Sequence, residues 1–313
     1  MLAVDHATRG QAMKFKTPER REYYAKYERV LTENDANGWF ETYRLPGNVL
    51  GTCEVQHLQE VNHFIILGSE RSLVLDAGLG IVNSKPLIDE LCPNGYQVIN
   101  CHRHFDHAGN NWHFDEVLHA DEKGAIEQAR TGVAHMYLAN QSDPDMFVFD
   151  YPEGFDPDAY WIRPFNGRTV EDGHIFDLGD RKVEVVYTPG HTEDHLMLYD
   201  HAFDILFSGD MVYLDVIYAQ FGNDIMGHSD IDAYIASLDK ISERFPDVRY
   251  IYTSHNDFSV PVDSIGRIRE ALVAVRDGTA QGEPLHDEKF GYYDDPETMK
   301  EYMFGDFSIV YRE

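Results

Sequence analysis

In the stretch INCHRHFDHAGN, residues 99–110, three imidazoles and a carboxylate fall within six positions: His102, His104, Asp106 and His107. Neutral imidazole nitrogens and carboxylate oxygens are good ligands for divalent cations, so the first chemistry this loop suggests is metal binding. The run Ile99, Asn100, Cys101 reads as the end of a buried strand, and Ala108 with Gly109 reads as a turn. Side chains alternate along an extended segment, which predicts His102, His104 and Asp106 on one face and His107 turned away. One loop arranged in that way could serve two neighbouring ions. A solvated polar loop is the plain alternative, but it gives no reason to concentrate imidazole.

Other candidates lie far along the chain. His191 sits in YTPGHTEDH, Asp210 in LFSGDMVY and His255 in YIYTSHND, each just past an apolar run. Singly, each is an ordinary loop residue. Four ligand-bearing strand ends together predict convergence on one rim of a sheet.

The elements that must position them are visible as patterns. Strand-like runs lie at 40–45, 61–67, 73–75, 98–101, 117–119, 183–188, 196–199, 205–208 and 250–253, the second and third forming a hairpin that turns at Gly68 and Ser69. A short charged helix is predicted over 17–33 and another helix over 83–92. Ile231, Ile235, Leu238 and Ile241 recur at helical spacing behind Ser229 or Asp230 as cap, and Ile265, Ile268, Leu272 and Val275 repeat the pattern before Gly278. Paired strands followed by strands alternating with helices predict a layered α/β domain. Residues 131–166 stand apart, with Pro144, Pro152, Pro157 and Pro164 among many aromatics. They read as an irregular insertion, either a flap packed by its own rings or a lid or wall over an apolar pocket.

Composition sets the outer bounds. The chain has 313 residues, 43% hydrophobic and 13% aromatic, as a globular protein does, and its net charge of −29 opposes nucleic acid and anionic membranes as partners. The N-terminal stretch has no apolar run suited to a signal peptide, and no window approaches a membrane span, so a cytoplasmic protein is expected. Cys53, Cys92 and Cys101 form no CxxC pair, which predicts neither a disulfide framework nor a cysteine metal site. Cys101 reads as a small buried residue of its strand.

With these residues in view, HRHFDH resembles the HxHxDH signature of the metallo-β-lactamase-fold hydrolases. His191, Asp210 and His255 follow in the order that family uses, and the run Leu75, Asp76, Ala77, Gly78 resembles its early strand-end aspartate motif. The resemblance covers roughly residues 39–275 and implies a four-layer αββα sandwich with the active site at one edge of its two sheets. It implies that His102, His104 and His191 bind one metal ion, that Asp106, His107 and His255 bind the other, and that Asp210 bridges them. Asp76 would orient ligands or loops. Two divalent ions, zinc first with iron, manganese or cobalt open, would share a water whose hydroxide attacks a carbonyl, and Asp106 could relay a proton to the leaving group. The implied organisation is an N-terminal helical extension over 1–38, the main domain over 39–278 with the 131–166 insertion, and a tail over 279–313 that completes or covers it.

Departures from subfamily patterns narrow the chemistry. Asp210 stands where typical zinc β-lactamases use cysteine, and His104 where flavodiiron oxidoreductases have an acid. The charge argues against the polyanionic substrates of RNase Z-type nucleases, and the complete second ligand set argues against single-iron persulfide dioxygenases. N-acyl-homoserine lactonases and glyoxalase II-like thioesterases remain. The C-terminal region is acidic and aromatic, not basic as in glyoxalase II, and Tyr213 matches the offset of a lactonase tyrosine that contacts the substrate carbonyl; the plain alternative is a tyrosine that packs the loop. Tyr218, Phe221 and Met226, with the 131–166 segment, could wall an acyl pocket, and His228 could bind substrate. The expectation is a dinuclear hydrolase of small molecules, lactone preferred, with a thioesterase as the alternative. A persulfide dioxygenase or a non-catalytic metal-binding protein stands behind these, and a homodimer is left open.

Overall fold

The computed structural model describes residues 23–220, 222–284 and 299–312. Its first sheet has eight strands in sequence order: β1 (Glu28–Val30), β2 (Phe40–Leu45), β3 (Val49–Glu54), β4 (Asn62–Leu67), β5 (Ser72–Leu75), β6 (Tyr96–Ile99), β7 (Val117–Ala120) and β8 (Gly167–Val170). Pairing is antiparallel up to β5 and parallel from β5 to β8. The second sheet contains β9 (Ile175–Asp177), β10 (Lys182–Tyr187), β11 (Leu196–Asp200), β12 (Ile205–Gly209), β16 (Tyr250–Thr253) and β17 (Ser259–Val260), in the spatial order β17-β16-β12-β11-β10-β9. A small third sheet joins β13 (Val216–Tyr218) to β18 (Glu283–Pro284), β19 (Met299–Phe304) and β20 (Phe307–Arg312), while β14 (Gly222–Asn223) and β15 (Gly227–His228) pair with each other.

Period-two alternation explains the layering. In the first sheet Val49, Phe64, Ile66, Leu73, Leu75 and Ile99 pack into one buried cluster with Val183, Val185, Leu196, Leu198, Ile205 and Phe207 of the second. The intervening residues Leu50, Ile65, Val74, Val98 and Val117 face the opposite way, against Ile88 of helix α1 (Lys85–Leu91) and Cys92 beyond its end. On the far side of the second sheet, Val186, Met197, Leu206 and Ile251 meet two helices numbered here by position in the chain. These are α4 (Ile231–Arg244) and α5 (Ser264–Arg276); α2 (Phe105–Ala108) and α3 (Lys123–Thr131) lie earlier. The result is helix, sheet, sheet, helix, because the central strands bury apolar residues on both faces.

The two long helices follow their sequence signals. The Asp230 carboxylate accepts from Ala233 N–H at 2.9 Å to cap α4, and Ile231, Ile235, Leu238 and Ile241 are its buried stripe. Burying each such side chain stabilises by about 1.5–3 kcal/mol, so Ile235→Ala would cost about 2–5 kcal/mol. Gly278, at φ +67, follows the end of α5.

One expectation changes. The helix predicted over 17–33 falls partly outside the described residues, and Glu28–Val30 within it form β1, hydrogen-bonded to β2. An unpaired sheet edge outweighs the weak helical preference of a short charged run. Of the two roles expected for the C-terminal segment, the described residues take the completing one: β20 pairs in parallel with β13 and so props the loop that follows Asp210. Residues 131–166 form short 3₁₀ turns, and Phe147, Tyr151, Phe155 and Tyr160 pack edge to face in succession. They also pack on Trp39, Leu79 and Phe105, so the insertion shares a core with the site loops. Among the described residues, no helix is long and apolar enough to cross a membrane.

Candidate metal centre

Parallel strands aim their carboxyl ends at one edge. Asp76 follows β5 and His102 follows β6, neighbours in the first sheet. His191 follows β10, Asp210 follows β12 and His255 follows β16, which all run the same way in the second sheet. The edges are joined directly, since Leu196 N–H donates to the carbonyl of Cys101 at 2.8 Å. Loops at the carboxyl ends of parallel strands are the usual place for a site in α/β sheets.

The histidine loop is not extended throughout, which corrects the alternation expected above. His104 is extended (φ −60, ψ 152) and caps α2, a single turn closed by the N–H groups of His107 and Ala108 on the His104 carbonyl, both at 3.1 Å. Asp106 and His107 therefore leave a helical turn side by side, and His107 is not turned away. The consequence is two donor groups instead of one face. His102, His104, His191 and Asp210 form one, and Asp106, His107 and His255 the other, with donor atoms inside each group within 4.8 Å of one another. Asp210 lies between them. Its Oδ2 is 3.2 Å from His255 Nε2 and 3.5 Å from His191 Nε2, and its Oδ1 is 3.4 Å from His107 Nε2.

Charge distinguishes the groups. Burial and neighbouring imidazoles hold His102 and His104 well below the usual histidine range, and burial pushes His191 down to about 4 despite Asp210. In the second group burial also opposes charge, but carboxylates outweigh it. His107 is raised by Cys101, Asp106, Asp210 and Asp76, and His255 is pushed up to about 9 by Asp210 and Asp106. Asp210 is held low, against burial, by His255 and His107, while burial raises Asp106.

Around the donors lies a supporting layer. Asp76, at φ +66, accepts from Cys101 N–H at 2.8 Å with Oδ1 and lies 2.9 Å from His107 Nδ1 with Oδ2. The Cys101 thiol is buried as expected, but it also bonds: its Sγ is 3.0 Å from Asp76 Oδ2, 3.1 Å from His102 Nδ1 and 3.4 Å from His107 Nδ1. His195 receives the Asp210 N–H at 3.2 Å and sits 2.9 Å from Thr188 Oγ1. Gly209, at φ +52, leaves room for it, since a Cβ there would lie 2.5 Å from His195 Nε2. The local sequence signal for His195 is its spacing, four residues after His191 in YTPGHTEDH.

The substrate candidates are placed less uniformly. Tyr213 is buried, its ring 5.6 Å from that of His255, and its hydroxyl donates to the Val216 carbonyl. Tyr218 is half-buried on β13, and Met226 joins the core shared with the insertion. His228 is exposed, its N–H on Glu193 and its Nε2 3.3 Å from Asp224 Oδ1. Phe221 lies outside the described residues.

The donor set fits divalent cations. His102 Nε2, His107 Nε2 and Asp210 Oδ1 are buried at the centre and make no hydrogen bond. Buried polar atoms are rarely left so; a cation in the first group would satisfy His102, one in the second would satisfy His107, and Asp210 Oδ1 lies between the two.

Comparison with known proteins gives the family. The chain is 30% identical over 193 residues to acyl-coenzyme A thioesterase MBLAC2 of Gallus gallus, covering 58% of this chain and 66% of that protein. It is 34% identical over 120 residues to a hydroxyacylglutathione hydrolase of Maricaulis maris, covering 37% of this chain and 34% of that one. Among solved structures, a stereoselective inverting sec-alkylsulfatase from Pseudomonas sp. superposes with a TM-score of 0.58 at 14% identity, over 76% of this chain and 42% of its own, a likeness of fold alone. A family model described as the metallo-beta-lactamase superfamily matches residues 59–255, a span holding every donor described above, and the chain belongs to that superfamily.

Proposed function

We propose that this protein is a metal-dependent hydrolase whose preferred substrates are acyl thioesters. The observation that carries the reading is the pair of donor groups joined at Asp210, with orphaned donor atoms between them. His102, His104 and His191 would hold one ion, Asp106, His107 and His255 the other, and Asp210 both. Zinc suits these ligands, as do iron, manganese and cobalt. When bound, the ions supply Lewis acidity and an acidified water.

The residues do the rest. Asp76 and Cys101 fix the ring planes of His107 and His102, and His195 fixes the Asp210 backbone. Asp106, on the same turn as His107, would also relay a proton to the leaving group. The 131–166 segment, packed on Leu79 and Phe105 of the site loops, would wall the acyl side.

Two observations favour thioester over lactone. Relatives of this chain are named acyl-coenzyme A thioesterase and hydroxyacylglutathione hydrolase. The Tyr213 hydroxyl, which the lactone reading needs at the substrate carbonyl, is bonded to Val216 instead. A thiolate with an ordinary pKa near 8.5 also leaves with less protonation than the alkoxide of an opened lactone. Arg103, the cation of the histidine loop, is bonded to Glu122 at 3.1 Å and Glu193 at 3.0 Å, so recognition is assigned to the acyl part of the substrate and not to an anionic carrier. Three buried free cysteines suit a reducing, cytoplasmic setting.

The test is kcat/KM of the zinc-loaded protein on lactoylglutathione, a medium-chain acyl-coenzyme A and a medium-chain acyl-homoserine lactone. A thioester ahead by at least about tenfold, ~1.4 kcal/mol in barrier, is expected. A lactone ahead by that margin would return Tyr213 to the substrate carbonyl and overturn the thioester reading.

A further inference from the structure

The segment 56–60 between β3 and β4 lies between the 131–166 insertion and the second donor group, and it is bonded to both. Toward the insertion, Leu58 N–H donates to Met146 O and Val148 N–H to Gln56 O, each at 2.9 Å. His57 Nε2 is 3.0 Å from the Gln141 carbonyl, and Gln59 Nε2 donates to Gln141 Oε1 at 2.9 Å. Gln141 is buried, so its side chain and its carbonyl are both committed to this contact. Toward the site, the Gln59 carbonyl is 2.8 Å from His255 Nδ1, Asn256 N–H donates to Glu60 O at 3.1 Å, and Val61 bridges His255.

The chemistry of these contacts fixes which ring atoms do what. Gln59 N–H donates to His57 Nδ1 at 3.2 Å, so the His57 proton sits on Nε2 and points at Gln141. A carbonyl opposite His255 Nδ1 can only accept, so that nitrogen carries the proton and Nε2 is turned toward Asp106 and Asp210. One residue, Gln59, therefore orients a donor of the second group with its backbone while its side chain grips the insertion.

We propose that Gln141 is a positioning residue for His255, acting through Gln59, so that the insertion sets the geometry of the second donor group and not of the first. This rests on the reading that the two groups hold two ions. The first group is held by other means: His102 by Cys101, and the Asp210 backbone by His195. Residues 131–166 are on this account a fixed wall that is part of the second site's support. Loosening it should show in metal affinity before any substrate is added.

The experiment is zinc binding by the metal-free full chain, followed by competition with a chromophoric chelator. The step weakened in His255→Ala identifies the second group. Gln141→Met, of similar length but with only a weakly accepting thioether in place of the amide oxygen, is expected to weaken that step by about tenfold, the lower end of what outer partners of metal ligands contribute, and to leave the other step within about twofold. Gln141→Glu keeps an acceptor oxygen for Gln59 and should restore the affinity. Gln59→Met, which cuts the same link from the other side, must show the same selective loss, and it serves if Gln141→Met does not fold. Unchanged affinity of both steps would overturn the proposal. So would equal weakening of both, which marks a merely structural role. A wild-type protein that binds fewer than two ions would remove the dinuclear reading itself and this proposal with it.

Discussion

The two donor groups meet at one carboxylate yet are built on opposite principles. In the first, His102, His104 and His191 crowd ring against ring, with His102 and His104 centroids 4.4 Å apart, and each is kept neutral by burial. In the second, His107 and His255 are each flanked by carboxylates and carry charge when no cation is present. The first group thus offers lone pairs at once. The second must release protons before it can bind, and it leans on Asp76 and Gln59 for orientation. What the contrast teaches is that neighbouring sites of similar ligand type can differ in affinity and pH response because of what lies one layer out.

Asp210→Ala breaks both sides of the contrast and has the largest expected effect. Several kcal/mol of transition-state stabilisation disappear with the paired site, so kcat/KM on the best thioester should fall on the order of a thousandfold or more. Asp76→Asn separates the groups. It removes the anionic partner of His107, and zinc competition should show the second ion weakened about 10–100-fold with the first nearly unchanged.

A smaller effect, confined to stability, tests the acidic side. Glu54 is buried, accepts from Leu79 N–H and Trp39 Nε1–H at 2.7 Å each, and is pushed up to about 8 by burial, with Asp106 adding to it. Its ordinary value is 4.5, so the stability it contributes is complete below that pH and is lost as pH rises through about 8. Chemical denaturation of the metal-free protein should therefore show stability declining across that window, and Glu54→Gln should flatten the decline. An identical slope in both proteins would refute the assignment. The smallest effect is expected for Tyr213→Phe, which loses only a hydroxyl bonded to Val216: a stability change of about 1 kcal/mol and thioester kcat/KM within a few-fold of wild type. A large loss of kcat would place that hydroxyl on the substrate.

The same division marks what could be read from the sequence. The donors were legible because strand ends advertise themselves, as in HRHFDH and LDAG, where an apolar run stops at a ligand type. The helices α4 and α5 were legible from their spacing. The strand β3 was not, because VLGTCE carries Gly51 and the buried Glu54 in place of an apolar alternation. Nor was the parallel pairing of β13 with β20, whose partners lie about ninety positions apart and have no local signature. The turn that places Asp106 beside His107 depends on closure over His104, which alternation along a strand does not anticipate. The outer contacts of Cys101, His195 and Gln59 are the hardest case, since a thiol, an imidazole and a main-chain carbonyl acquire their roles only once distant strands meet.

The most direct measurement is thioester hydrolysis by metal-free protein as zinc is added in counted equivalents. The account predicts no turnover without metal and full activity only as the second equivalent binds, with the first filling the neutral imidazole group. Full activity in the metal-free protein, or complete activity at one equivalent, would contradict it.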